Sequence, residues 1–169
     1  FPTNFSAICV KTTSLDPIAV TIIMVALDVV AALVGVAFGG VMRRFRLSVK
    51  YFAPTFFLLG YLCFATSQSL PSLLAGCLFI GIANGIGVPY LNTIASIKAG
   101  QEAATTVMPL LSAALYAGQF LSPLVATPLA AKFFPDNLSG IYWIACAFSI
   151  LFLLEVFVTR HFQSQPPEE

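Results

Sequence analysis

From Pro17 to Gly40 the chain carries a single charged side chain, Asp28. No other feature constrains the fold as strongly. Further apolar runs follow at about Ser48 to Ser67, Pro71 to Ser96, Ala103 to Ala131 and Leu138 to Thr159. A helix needs roughly 20 predominantly apolar residues to cross the hydrocarbon core of a bilayer. Each run reaches that length. None alternates apolar with polar side chains as a barrel strand does, so the runs read as membrane helices. Pro17 and Pro71 suit first helical turns, and Asp16 stands where an N-cap belongs.

Composition agrees. Only 9% of the 169 residues are charged and 59% are hydrophobic, with a mean hydropathy of +0.93. Soluble domains carry about 25% charged residues, so this chain cannot clothe a globule in polar surface. Sixteen Phe are not interleaved with the basic residues of a nucleic-acid surface, and no nucleic-acid partner is expected. Cys9, Cys63, Cys77 and Cys146 are widely spaced in apolar context. They read as packing residues, and no metal or other cofactor is expected. His161 ends an apolar run and cannot furnish a catalytic triad alone. No glycine loop with a lysine offers a phosphate cradle. The chain opens on Phe1 without a basic leader, so a piece of a longer protein is expected.

The links are short: "SQSLP", "KAGQE" and "KFFPDN" join successive runs. Short links predict neighbouring antiparallel helices. Five spans then place Arg43, Arg44, Arg46, Lys50, Lys98 and Arg160 on one side, against Lys11 and Lys132 on the other. The positive-inside rule puts the basic side and the C-terminus in the cytoplasm of a multi-pass protein of the cell membrane. Tyr142 and Trp143 then fall at the outer interface. The tail after 160, "HFQSQPPEE", reads as a polar cytoplasmic extension.

Polar groups inside the spans are the candidate functional residues. Asp28 lies near mid-membrane, and Thr21, Asp28, Ala31, Ala32, Gly35 and Gly39 share one helical stripe. A carboxylate at that depth needs protein or water beside it. It is either a proton- or cation-handling group or a structural acid with a partner elsewhere. Asn84, with Gly81 and Val88 a turn away and Asn92 two turns on, suits either substrate orientation or helix-to-helix hydrogen bonding. Gly81, Gly85, Gly87 and Pro89 either loosen that helix or let another helix approach closely. Pro109, Ser112, Tyr116, Gln119 and Pro123 form one polar, bend-prone stripe on the fourth run. It lines a cavity or meets neighbouring helices. Glu155 near the basic end of the last run reads as a locally paired group.

The glycine-ended first run and its basic turn resemble the cytoplasmic-loop motif of the major facilitator superfamily. The copy here reads Gly39, Gly40, Val41, Met42, Arg43, Arg44, Phe45, Arg46, with Arg43 at the motif's acidic position and its second glycine absent. "GIANGIGVP" is similar to the family's tenth helix, "LYAGQFLSPLV" to its eleventh, and "FPTNFS" to the end of its seventh. The resemblance implies an all-α fold: residues 1–16 finish a truncated helix and outer loop, and 17–160 make helices eight to twelve. Together these form half of a twelve-helix bundle whose N-terminal six-helix half is not in this chain. It implies a secondary active transporter working by alternating access, most like bacterial drug and metabolite exporters, moving a small organic molecule in exchange for protons. Asp28 would couple protons. Thr3, Asn4, Asn84, Asn92, Tyr116 and Gln119 would line the cavity. Gly39, Arg43, Arg44 and Arg46 would serve gating, and Pro109 and Pro123 would bend the fourth run. Two other readings stand beside it. One is a non-transporting scaffold or receptor half. The other is an intramembrane enzyme, for which a single central acid is too little, so no enzymatic activity is expected.

Overall fold

In the computed structural model, residues 16–45, 48–66, 69–135, 137 and 139–163 are described, the side chains of 101, 102 and 159–163 excepted. Thr3, Asn4, Cys9 and Arg46 lie outside the described residues. Among the described residues the protein is all helical, with five helices long and apolar enough to cross a membrane. They are α1 (Pro17–Phe45), α2 (Val49–Thr66), α3 (Leu70–Gly100), α4 (Ala103–Phe133) and α5 (Gly140–Gln163). Their apolar character makes this a multi-pass membrane protein.

Asp16 does cap α1. Its carboxylate accepts a hydrogen bond from the Ile18 backbone N–H at 3.2 Å, satisfying one of the donors orphaned at a helix start. The helix does not stop at Gly39 or Gly40. It continues through Arg43 and Arg44 to Phe45. Glycine is tolerated within a helix when nothing favours the alternative, and the Arg43 side chain reaches back from Nε to the Gly39 carbonyl at 3.4 Å. The basic cluster therefore begins on the last turn of α1 and not in a loop. The third and fourth runs are also closer than their sequence suggests. Helical backbone continues across the junction, interrupted only by Gly100 at φ 69° and ψ 179°.

Four helices build the core and α3 is its centre. One apolar cluster joins Val20 and Leu27 of α1, Phe64 of α2, Leu73, Cys77 and Ile80 of α3, and Tyr142 of α5. A second joins Phe38, Val49 and Ile86. Lipid competes for apolar surface as well as any neighbouring helix does, so close approach must come from small residues. A Cβ placed on Gly81 would lie 3.0 Å from the Leu27 carbonyl oxygen, and one on Gly85 2.5 Å from that of Ala31. On the α2 side, Gly76 accommodates the Phe64 ring, and a Cβ on Gly60 would come within 2.8 Å of Ile80. The Ser72 hydroxyl donates to the Cys63 carbonyl at 2.8 Å, tying the end of α2 to the start of α3. As a result α1 and α2, though consecutive, barely touch. The short link "SQSLP" does join packed neighbours, α2 and α3, and α3 offers glycine notches to α1 as well.

Tyr142, near the start of α5, is an aromatic of the core. It is buried against Phe64, ring centroids 5.1 Å apart, whereas Trp143 faces outward. Cys63, Cys77 and Cys146 are unbridged, the last two buried, as small packing residues would be. The turn into α5 is built by Asn137, whose side chain accepts from the Ser139 N–H at 2.9 Å, while Gly140 leaves room for Phe134.

Candidate functional site

The first α1 stripe is open. Thr21, Asp28, Ala32 and Gly39 are exposed, and Ala31 and Gly35 are half-buried toward α3. The Thr21 hydroxyl is satisfied within its own helix, donating to the Pro17 carbonyl at 2.9 Å. Asp28 has no hydrogen-bond or ionic partner among the described residues. It lies three residues short of the middle of α1, a displacement of about 4.5 Å along the axis. The longer helix therefore leaves it deep in the span.

Packing of α1 on α3 sets the level of the next residue. Leu27 faces Gly81 and Ala31 faces Gly85. Asp28 and Asn84 lie within these two pairs, so the two helices run the same way and carry both polar residues at one depth. Asn84 and Asn92 are half-buried. Gly81 and Gly85 serve the contact with α1, the second of the two roles open to them from sequence. Gly87 sits against Ala53 of α2, where a Cβ on the glycine would lie 3.2 Å from that of Ala53. Pro89 leaves α3 helical, and the Thr93 hydroxyl donates to the Pro89 carbonyl at 2.7 Å.

The second stripe lies on α4. Pro109, Ser112, Tyr116 and Gln119 are exposed and Pro123 is half-buried, with Tyr116 at 71% of its full surface. No residue of α4 belongs to either core cluster. Pro109, Pro123 and Pro128 all lie inside the helix, and its non-helical joint is at Gly100 instead. Reading from sequence placed Gly100 in the link "KAGQE" without singling it out as the joint. Its signal was the lone glycine between Ala99 and Gln101 in an otherwise helix-compatible stretch.

The basic end gathers Arg43 and Arg44 on α1, Lys50 on α2 and Lys98 on α3. Lys50 lies over the Tyr51 ring, 5.2 Å from its centroid. Arg43, Arg44 and Lys98 are exposed. No cluster of three or more metal-ligating side chains is found among the described residues. In chemical terms, the arrangement offers one mid-membrane carboxylate, an amide at its depth and a hydroxyl-and-amide stripe. Comparison with protein families, with curated proteins and with solved structures finds no match to this chain.

Proposed function

We propose that this chain is the C-terminal half of a secondary active transporter of the major facilitator type, moving a small organic molecule outward in exchange for protons. The observation that carries the reading is the open α1 stripe around Asp28, at the depth of Asn84. A mid-membrane carboxylate that no described residue pairs is costly in lipid, so it belongs against water or a further helix. The α4 stripe of Ser112, Tyr116 and Gln119 would complete the wall of a cavity. On this reading Asp28 takes a proton when the cavity faces one side and releases it when the cavity faces the other. Asn84 and Gln119 orient the substrate by hydrogen bonds in an otherwise apolar space. Arg43 and Arg44, at the cytoplasmic edge, hold the turn that the rocking motion loads. The order of the landmarks, Gly39 to Arg46, then "GIANGIGVP", then "LYAGQFLSPLV", supports the same family.

Asp28→Asn in the complete transporter tests this. Asparagine keeps the shape but cannot titrate. Proton-gradient-driven flux into proteoliposomes, normalised to folded protein, should vanish while downhill exchange persists. Undiminished uphill flux would remove Asp28 from the mechanism. Loss of folded protein instead would assign it a structural ion pair.

A further inference from the structure

Helix α1 has a third face. It is neither the face packed on α3 nor the Asp28 stripe. Ile22, Val25, Val29, Leu33 and Val36 all point away from the bundle, and Val36 retains 88% of its full surface. The face continues past Gly40 into the arginines. Arg43 follows Val36 by seven residues and Arg44 follows Leu33 by eleven, both spacings that return to the same side of a helix. A Cβ at Gly39 or Gly40 would meet nothing within 4 Å. Between the last valine and the two guanidiniums, the backbone is therefore bare.

The dimensions suit one leaflet. Leu33 to Arg43 is ten residues, about 15 Å of rise, half of the roughly 30 Å hydrocarbon core. The charge is one-sided: α1 ends in Arg43 and Arg44, and α2 opens with no acid in its first turn. Lys50 is engaged by the Tyr51 ring, and among the described residues Arg43 and Arg44 are exposed cations beside this face. Arg43 folds back toward the Gly39 carbonyl, so its charge is held beside the glycines.

We infer that this face of α1 is a binding site for an anionic phospholipid, with acyl chains along Val29, Leu33 and Val36 and the headgroup phosphate between Arg43 and Arg44. The bare backbone at Gly39 and Gly40 admits the glycerol region. Arginine presents several donors to a phosphate, which favours a held lipid over a passing one.

The experiment is native mass spectrometry of the full chain in detergent, with dioleoylphosphatidylglycerol or dioleoylphosphatidylcholine added. The unmodified chain should retain the anionic lipid in preference to the zwitterionic one. Arg43→Gln with Arg44→Gln should weaken retention about thirtyfold, from roughly fivefold per cation. Lys98→Gln, the same kind of charge loss on another helix of the same end, should leave it within about twofold, since an exposed charge that does not touch the phosphate contributes little. Arg43→Lys with Arg44→Lys, which keeps the charge, should retain most of the binding and guards against misfolding of the glutamine pair. Equal retention of both lipids would overturn the site. So would an equal loss in Lys98→Gln, which would mean a diffuse field. Displacement of the lipid by inorganic phosphate would mean a free-anion site instead.

Discussion

Helices α3 and α4 have the same length, 31 residues, and differ modestly in hydropathy, 1.7 against 1.3. Yet 44% of the apolar window of α3 is buried inside the protein and none of that of α4. The difference lies in glycine. In α3, Gly76, Gly81, Gly85 and Gly87 each face a neighbouring helix closely enough that a methyl group would be felt. In α4 the single glycine, Gly118, faces nothing within 4 Å. Apolarity takes a helix into the bilayer. It does not choose between lipid and protein once the helix is there, because both are equally oily. Shape makes that choice.

The comparison breaks most visibly at the aromatic rings. Phe64 is fully buried, whereas Phe120 on α4 keeps 72% of its surface. Phe64→Ala should cost about 3 kcal/mol or more of unfolding free energy, mainly through lost contacts and a residual cavity. Phe120→Ala should stay within about 0.5 kcal/mol. Titration of both variants from mild detergent into dodecyl sulfate, followed by circular dichroism, reads the two values. Similar costs would mean that α4 is held as firmly as α3.

A smaller effect sharpens the role of the notches. Gly85→Ala drives a methyl group against the Ala31 carbonyl and Val34, so α1 must retreat. The expected cost is about 2 kcal/mol, within the usual range for overpacking. Gly118→Ala should be neutral or slightly stabilising, since alanine is the better helix former. Thermal unfolding in micelles separates them, and an equal loss in both would dismiss shape as the cause.

The joint between the two helices gives the smallest effect. Gly100 adopts a positive φ with an extended ψ, a region all but closed to other residues. Gly100→Ala should cost about 1 kcal/mol, because its surroundings are open and the backbone can relax in part. Faster protease cleavage between 98 and 105 in the variant is the expected readout. Unchanged cleavage and stability would mean that the joint is not confined to this residue.

The spans were legible in the sequence because hydropathy is a sum over residues that each choose a solvent independently. Asp16 as a cap was legible for a similar reason, since it acts on its own neighbours. What stayed hidden depends on partners far along the chain. Gly81 and Gly85 stand out in sequence, but nothing local says that Leu27 and Ala31 lie opposite. Nothing near Tyr142 in the sequence says that its ring packs on Phe64. The end of α1 was misplaced because Gly39 and Gly40 resemble a stop, and the Arg43 contact with the Gly39 carbonyl is not visible in composition. Asp28 was legible in depth and in stripe, and the structure adds its openness and its level beside Asn84.

The glycine notches have a chemical consequence as well as a steric one. At Gly81 and Gly85 the first atom a Cβ would meet is a carbonyl oxygen of the facing helix, that of Leu27 and Ala31 respectively. Glycine carries a hydrogen in that direction. A Cα hydrogen directed at such an oxygen makes a weak attraction worth about 0.5–1 kcal/mol, and in hydrocarbon no water competes for the oxygen. Alanine removes that hydrogen in addition to filling the space. Trimming Val34 opposite Gly85→Ala would thus relieve only part of the crowding, since the Ala31 carbonyl stays, and would still leave the two helices less strongly joined.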